Sequence, residues 1–239
     1  MSRPDDSRPG ETGPGVTGIA TAGAAVEDTA AKDAGSKDAA ATRVVPPPAL
    51  SPTTPPAAAE PAVRHPEAPE PGTDLGVHYP QCFACGDEQP NGLHLRVVAD
   101  EGVSVTAEFQ VGPEHQGAPG LIHGGMLALA FDETLGSVNW MLRTPAVTGR
   151  LETDYLRPVP VGRTVYIRAW CEAVHGRKLY HRAEGRLDGP DGELVARSGA
   201  LFIRVDVGHF TKHGREDEVR AVLERPEQYR SLRAFEVNP

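Results

Sequence analysis

Long apolar runs are missing from this chain. None approaches the roughly 20 residues that a bilayer-spanning helix needs, so no membrane span is expected. Cysteine is scarce too: Cys82, Cys85 and Cys171 are too few for a disulfide scaffold, and an odd count fits a reducing compartment. Basic charge is in deficit, with 24 Lys+Arg against 33 Asp+Glu and a formal net charge of −9. That balance argues against a nucleic-acid surface but leaves room for a local basic pocket. The first residues are polar and acidic, and the Gly18 to Val26 patch lacks a hydrophobic centre, so no signal peptide is expected. The default expectation is a soluble cytoplasmic protein.

Aromatic residues are absent from residues 1–72, which are dominated by Ala, Pro, Gly, Thr, Asp and Glu. Such a composition cannot bury enough surface to offset ordering entropy, and residues 1–72 are expected to be a disordered, proline-stiffened tail. Order is expected from near Leu75. Strand-like runs Leu93 to Val98 and Val103 to Phe109 flank a turn signal. Four more strand candidates, Val147 to Leu156, Thr164 to Val174, Lys178 to Leu187 and Leu194 to Val205, follow a helical stretch from His123 to Arg143. Two strands, one long helix and a four-strand meander imply an α+β domain over residues 73–208, its curled antiparallel sheet covering the central helix. Residues 209–239 read as a charged appendage outside any site, with a surface helix from Gly214 to Glu224 whose inward stripe is Val219, Val222 and Leu223.

The central helix holds the best clue. From Met126 to Leu142 apolar residues occupy almost every side of the wheel, as in a buried helix. Yet Asp132 and Glu133 sit near its middle, and buried carboxylates are costly unless paired or used. The lead-in turn, Gly117 to Gly125, ends in His123-Gly124-Gly125, where glycines let a ligand oxygen approach the unpaired N–H groups of a helix N-terminus. That is a reasonable oxyanion hole. Asp132 lies nine residues beyond His123, roughly 13 Å along a helix axis. One carbonyl cannot reach both, so a catalytic site here favours a homodimer in which a two-fold related subunit supplies one part.

The Cys82-x-x-Cys85 pair, with His78 and His94 nearby, makes a zinc site conceivable. A closed site wants four ligands, usually two such pairs, and Cys171 is remote. The favoured reading is a compact turn with half-buried thiols and no bound metal. Trp140, Trp170 and Tyr180 read first as packing residues and then as pocket lining.

His123-Gly124-Gly125 followed by Asp132, then Thr148 opening a strand that runs to Tyr155-Leu-Arg157-Pro158-Val-Pro160, resembles the PaaI-like acyl-CoA thioesterases of the hotdog-fold superfamily. The Cys82-Phe-x-Cys85-Gly segment, Pro119-Gly-Leu-Ile-His-Gly-Gly and the Gly176-Arg177-Lys178 turn extend that resemblance over roughly residues 80 to 206. It implies a central helix wrapped by the sheet, dimers that often pair into tetramers, and hydrolysis without metal or cofactor. It further implies Gly125 N–H as oxyanion donor with Gly124 beside it, and His123 holding the turn and the thioester carbonyl region. Asp132 from the partner chain would be general base or nucleophile, and Thr148 would orient water or the carboxylate. Some hotdog branches use Glu, which makes Glu133 a second candidate, facing the other subunit or paired with an Arg such as Arg150. Relatives carry an Asn or Gln before the turn, and Gln116 is the nearest equivalent here. Arg177 and Lys178 would meet the coenzyme A phosphates. Plainer readings stand beside these: a capping His123, glycines serving only the turn, an ordinary strand threonine at 148, and a basic hairpin tip that aids solubility. A non-catalytic hotdog that binds an acyl-CoA or acyl carrier is the alternative function. A hotdog dehydratase ranks lowest, because no His follows Asp132 in the helix.

Overall fold

The structure, a computed structural model, describes residues 51–224. Chain order gives β1 (Arg96–Ala99), β2 (Ser104–Gln110), short β3 (Gln116–Ala118) and β4 (Leu121–Ile122), α1 (Gly124–Ser137) and α2 (Asn139–Leu142). There follow β5 (Ala146–Tyr155), β6 (Thr164–His175), β7 (Lys178–Leu187), β8 (Leu194–Arg204), α3 (Val207–His213) and α4 (Glu216–Glu224). The six long strands form one antiparallel sheet in the order β1-β2-β6-β7-β8-β5.

Period-two alternation decides which face of that sheet meets the helix. Val165, Ile167 and Ala169 of β6 and Leu179, His181 and Ala183 of β7 are buried. The intervening residues include Arg168, Arg182, Glu184 and Arg186, which form ion pairs on the opposite face. Leu127, Ala130, Phe131, Thr134 and Leu135 sink α1 into the inner face. Gly185 is what allows close approach, since a Cβ there would lie 2.8 Å from Cζ of Phe131. His181 adds a polar tie. Its Nδ1 lies 2.9 Å from the Leu135 carbonyl and must donate, because a carbonyl only accepts.

The predicted helix from His123 to Arg143 is divided: α1 stops at Ser137, α2 follows Val138, and Arg143 closes the run with φ 46°. Residues 51–72 correct the tail expectation. Ser51 and Thr53 hydrogen-bond Glu152 of β5, and Glu60 pairs backbone to backbone with Val174 of β6. Gly72 and Leu75 donate to Ala99 and Val97, so the segment covers the β1 edge of the sheet. The composition is turn-forming, but the sheet supplies partners that no local pattern announces. The remainder of the expected tail, residues 1–50, lies outside the described residues, as do the side chains of Val222 and Leu223. Among the described residues no helix is long and apolar enough to cross a membrane.

Candidate active site

A cleft of about 600 Å³ opens along the middle of α1, walled by Asp132, Gly136, Trp140, Thr148 and Phe202. Thr148 stands near the start of β5, where a register shift between Thr148 and Arg150 aims its hydroxyl at the helix. Its Oγ1 donates to Oδ1 of Asp132 at 2.9 Å. Burial, with the adjacent Glu133 charge, raises Asp132 from its ordinary value despite that hydrogen bond. The half-buried carboxylate anticipated from the helix pattern is thus held in one orientation, with open space beside it.

The His123-Gly124-Gly125 turn is built by a different part of the chain. His123 is the N-cap of α1 and its Nδ1 accepts from Gly125 N–H at 2.9 Å. This corrects the expectation of Gly125 as the open donor: its N–H is engaged by the cap. Gly124, as the first helical residue, has no intrahelical acceptor for its own N–H. Tyr155 Oη donates to the Gly124 carbonyl at 2.9 Å, and His123 N–H donates to the carbonyl of buried His115 at 2.8 Å. Gly117 is required because a Cβ there would lie 2.7 Å from Cα of His123. Tyr155 and His115 were not singled out as site residues in the sequence. Tyr155 stands in the quoted Tyr-Leu-Arg-Pro run, whereas His115 left no sequence signal. The cleft is not lined by this turn.

Other expectations resolve differently. Gln116 is occupied locally, donating to the Pro113 carbonyl and accepting from Gly120 N–H, so its amide secures the turn. Arg177 donates to the Arg204 carbonyl at 2.9 Å, and Lys178 opens β7 beside it. This tip does not line the cleft. It stands next to the wall, since Val205 N–H bonds the carbonyl of the cleft residue Pro145. The appendage, expected to be a structural or oligomer-contact element and not a site, contributes Phe210, Arg215 and Val219 to the cleft. Trp140 also lines it, whereas Trp170 lies under the Arg168 guanidinium, 5.7 Å from its ring centre.

Glu133 neither pairs with Arg150, which bonds Glu152, nor stands free. Its Oε1 lies 2.9 Å from His78 Nδ1 and its Oε2 lies 3.7 Å from Cys82 Sγ. Cys85 Sγ is 3.0 Å from the same His78 nitrogen. His94 takes no part, and Glu133 arrives from a helix 48 positions further on than Cys85. The hydrogen bond from Cys85 holds the Cys82 thiol far below its ordinary range against the cost of burial, while Cys85 is pushed up as the proton-bearing partner. Among the described residues, His78, Cys82, Cys85 and Glu133 form a group that could hold a metal ion.

Residues 119–192 match the family model described as Thioesterase superfamily. The chain is similar to acyl-coenzyme A thioesterase THEM4 of Bos taurus, 36% identical over 127 residues, 53% of this chain and 52% of that protein. THEM4 of Xenopus laevis is 36% identical over 97 residues, 41% of this chain and 43% of its own. The chain spans about half the length of the curated relatives it matches. The sheet wrapped around α1 is the hotdog arrangement, and residues 119–192 within it are similar to the thioesterase superfamily. Among solved structures, the phenylacetic acid degradation protein PaaI from Thermus thermophilus is 27% identical, covering 47% of this chain and 95% of that one with a TM-score of 0.44.

Proposed function

We propose that this chain hydrolyses an acyl-CoA or related acyl thioester at a site shared between two subunits. The carrying observation is the Thr148–Asp132 hydrogen bond of 2.9 Å at a cleft that the His123-Gly124-Gly125 turn of the same chain does not line. A two-fold partner would bring its own turn to that cleft. Strand β5 supports this arrangement, because it is an edge of the sheet and continues into exposed Tyr155 and Leu156. Edge strands with apolar exposure are ready to pair.

In this reading the acyl group occupies the apolar cleft, and Arg177 and Lys178 meet the coenzyme A phosphates at its rim. Asp132 takes a proton from water, whose oxygen attacks the thioester carbonyl, or attacks that carbon itself to give a mixed anhydride that water then cleaves. The C–S bond breaks and the thiol leaves with a proton. The developing oxyanion meets Gly124 N–H at the N-terminus of α1. Because Nδ1 accepts, Nε2 of neutral His123 carries the ring proton and faces the carbonyl region as a donor.

Thiol release from short, medium, long and aryl acyl-CoAs tests this reading. Turnover by the wild type and its loss in Asp132→Asn support it. No release from any substrate, with thermal stabilisation by acyl-CoA, would identify a non-catalytic binder instead.

A further inference from the structure

The strongest feature outside the hydrolytic machinery is the cluster between the 78–86 loop and α1. Four side chains of ligand type, His78, Cys82, Cys85 and Glu133, bring their donor atoms within 4.8 Å of one another. Cys85 is 4% exposed, and Glu133 is 15% exposed at the side chain. A tetrahedral zinc ion, with bonds of about 2.0 Å to nitrogen or oxygen and about 2.3 Å to sulfur, sets its ligands roughly 3.3–3.8 Å apart. The observed 3.7 Å from Cys82 Sγ to Glu133 Oε2 falls in that range. The 3.0 Å from His78 Nδ1 to Cys85 Sγ and 2.9 Å from His78 Nδ1 to Glu133 Oε1 lie a few tenths of an ångström inside it, so a small outward shift of the ligands admits the ion.

The loop is shaped for the purpose. Gly86 N–H donates to the Cys82 carbonyl at 2.8 Å, and a Cβ on Gly86 would lie 2.2 Å from the Pro80 carbonyl oxygen. Only glycine lets the chain fold back tightly enough behind Cys85 for both thiols to face one point. Leu93 and Leu95 N–H groups then bond the Phe83 and Ala84 carbonyls, fastening the loop to the lead-in of β1. Residues 77–95 contain no helix or strand of their own, so a central ion would supply cohesion that the backbone does not.

We propose that His78, Cys82, Cys85 and Glu133 bind one zinc ion as a structural site that staples the 78–86 loop to the middle of α1. The thiols bind as thiolates and release their protons to solvent, His78 binds through neutral Nδ1, and Glu133 binds as a carboxylate. Mixed sulfur, nitrogen and oxygen donors in a tetrahedron suit zinc over magnesium or calcium. Four protein ligands leave no open position, so the ion holds structure and does not activate water. Glu133, which with His78 borders the cleft, is then committed to the metal, while Asp132 next to it is left to the cleft. This inference does not depend on the hydrolytic reading.

The test is elemental analysis of the untagged full-length chain, purified without chelator and handled under reductant, followed by cobalt(II) titration of chelator-stripped protein. One zinc per chain is expected, with loss of bound metal in Cys82→Ser and Cys85→Ser and at least tenfold weaker binding in Glu133→Gln. Cobalt should give thiolate charge-transfer absorption and the visible bands of a tetrahedral ion, and the zinc-loaded chain should melt higher than the stripped one. If no zinc co-purifies and folded, stripped wild type gives no such cobalt bands, the proposal fails. It also fails if the reduced-handled chain carries a Cys82–Cys85 disulfide, or if Cys→Ser variants that remain folded keep their zinc.

Discussion

On the side of α1 that faces β5, Asp132 accepts one hydrogen bond from an exposed threonine beside open space. One residue further on, Glu133 also borders the cleft but meets the 78–86 loop, where an imidazole and two thiols lie within 4.8 Å. A rotation of roughly 100° about the helix axis separates the two directions. Identical chemistry therefore meets opposite demands: one carboxylate keeps room for a reacting partner, and the other has its lone pairs taken. Both carboxylates border the same cleft, yet their hydrogen-bond partners differ, because adjacent helix positions point in different directions.

Removing the two carboxylates in turn breaks this comparison most sharply. Asp132→Asn should lower thiol release by about 10²–10⁴-fold, the range for loss of a positioned base. Glu133→Gln should register first in bound metal and in Tm. Equal loss of turnover in the two variants, with metal content intact in the second, would erase the distinction.

Both faces depend on how deeply α1 sits in the sheet. Phe131 is fully buried against Gly185, and Phe131→Ala should cost about 3–5 kcal/mol in urea unfolding. Gly185→Ala should cost about 1–3 kcal/mol by forcing the ring to shift.

A pH series sharpens the same point at the end of the helix. Burial, opposed by the Leu135 hydrogen bond, lowers His181 to about 4 from an ordinary 6.5. The unfolded chain then binds the extra proton first. His181 should leave stability undiminished above pH 6.5 and remove about 3 kcal/mol as pH falls toward 4. Unfolding free energies of the wild type and His181→Gln across that window check it, and the variant should show the shallower decline. The smallest effect is expected for Thr148→Ala. Losing one hydrogen bond of about 1 kcal/mol should reduce kcat roughly fivefold with KM little changed.

Much of the fold is legible in residue order. The alternation in Lys178 to Leu187 marks β7 to the residue, and the other long strands fall within a few positions of their patterns. Asp132 and Thr148 were also readable, one as an anomalous charge in an apolar helix and the other through the motif around it. The break at Val138 was less so, because Gly136-Ser137-Val138-Asn139 carries no proline and leaves the hydrophobic pattern running through. The packing of residues 51–72 was hidden because extended chain pairing with a sheet edge needs no periodicity of its own.

What the sequence determined by itself is local: which segments alternate, where glycine permits a turn, and which polar groups sit among apolar ones. Those are properties of a few adjacent residues and their backbone preferences. What only the tertiary structure decided is partnership. It completed the group of His78, Cys82 and Cys85 with Glu133, carried in by α1, in place of His94. It occupied the Gly125 N–H with His123 and brought Phe210 over the cleft. Ligand fields and hydrogen bonds act over a few ångströms of space, and only folding sets which distant residues come within that reach.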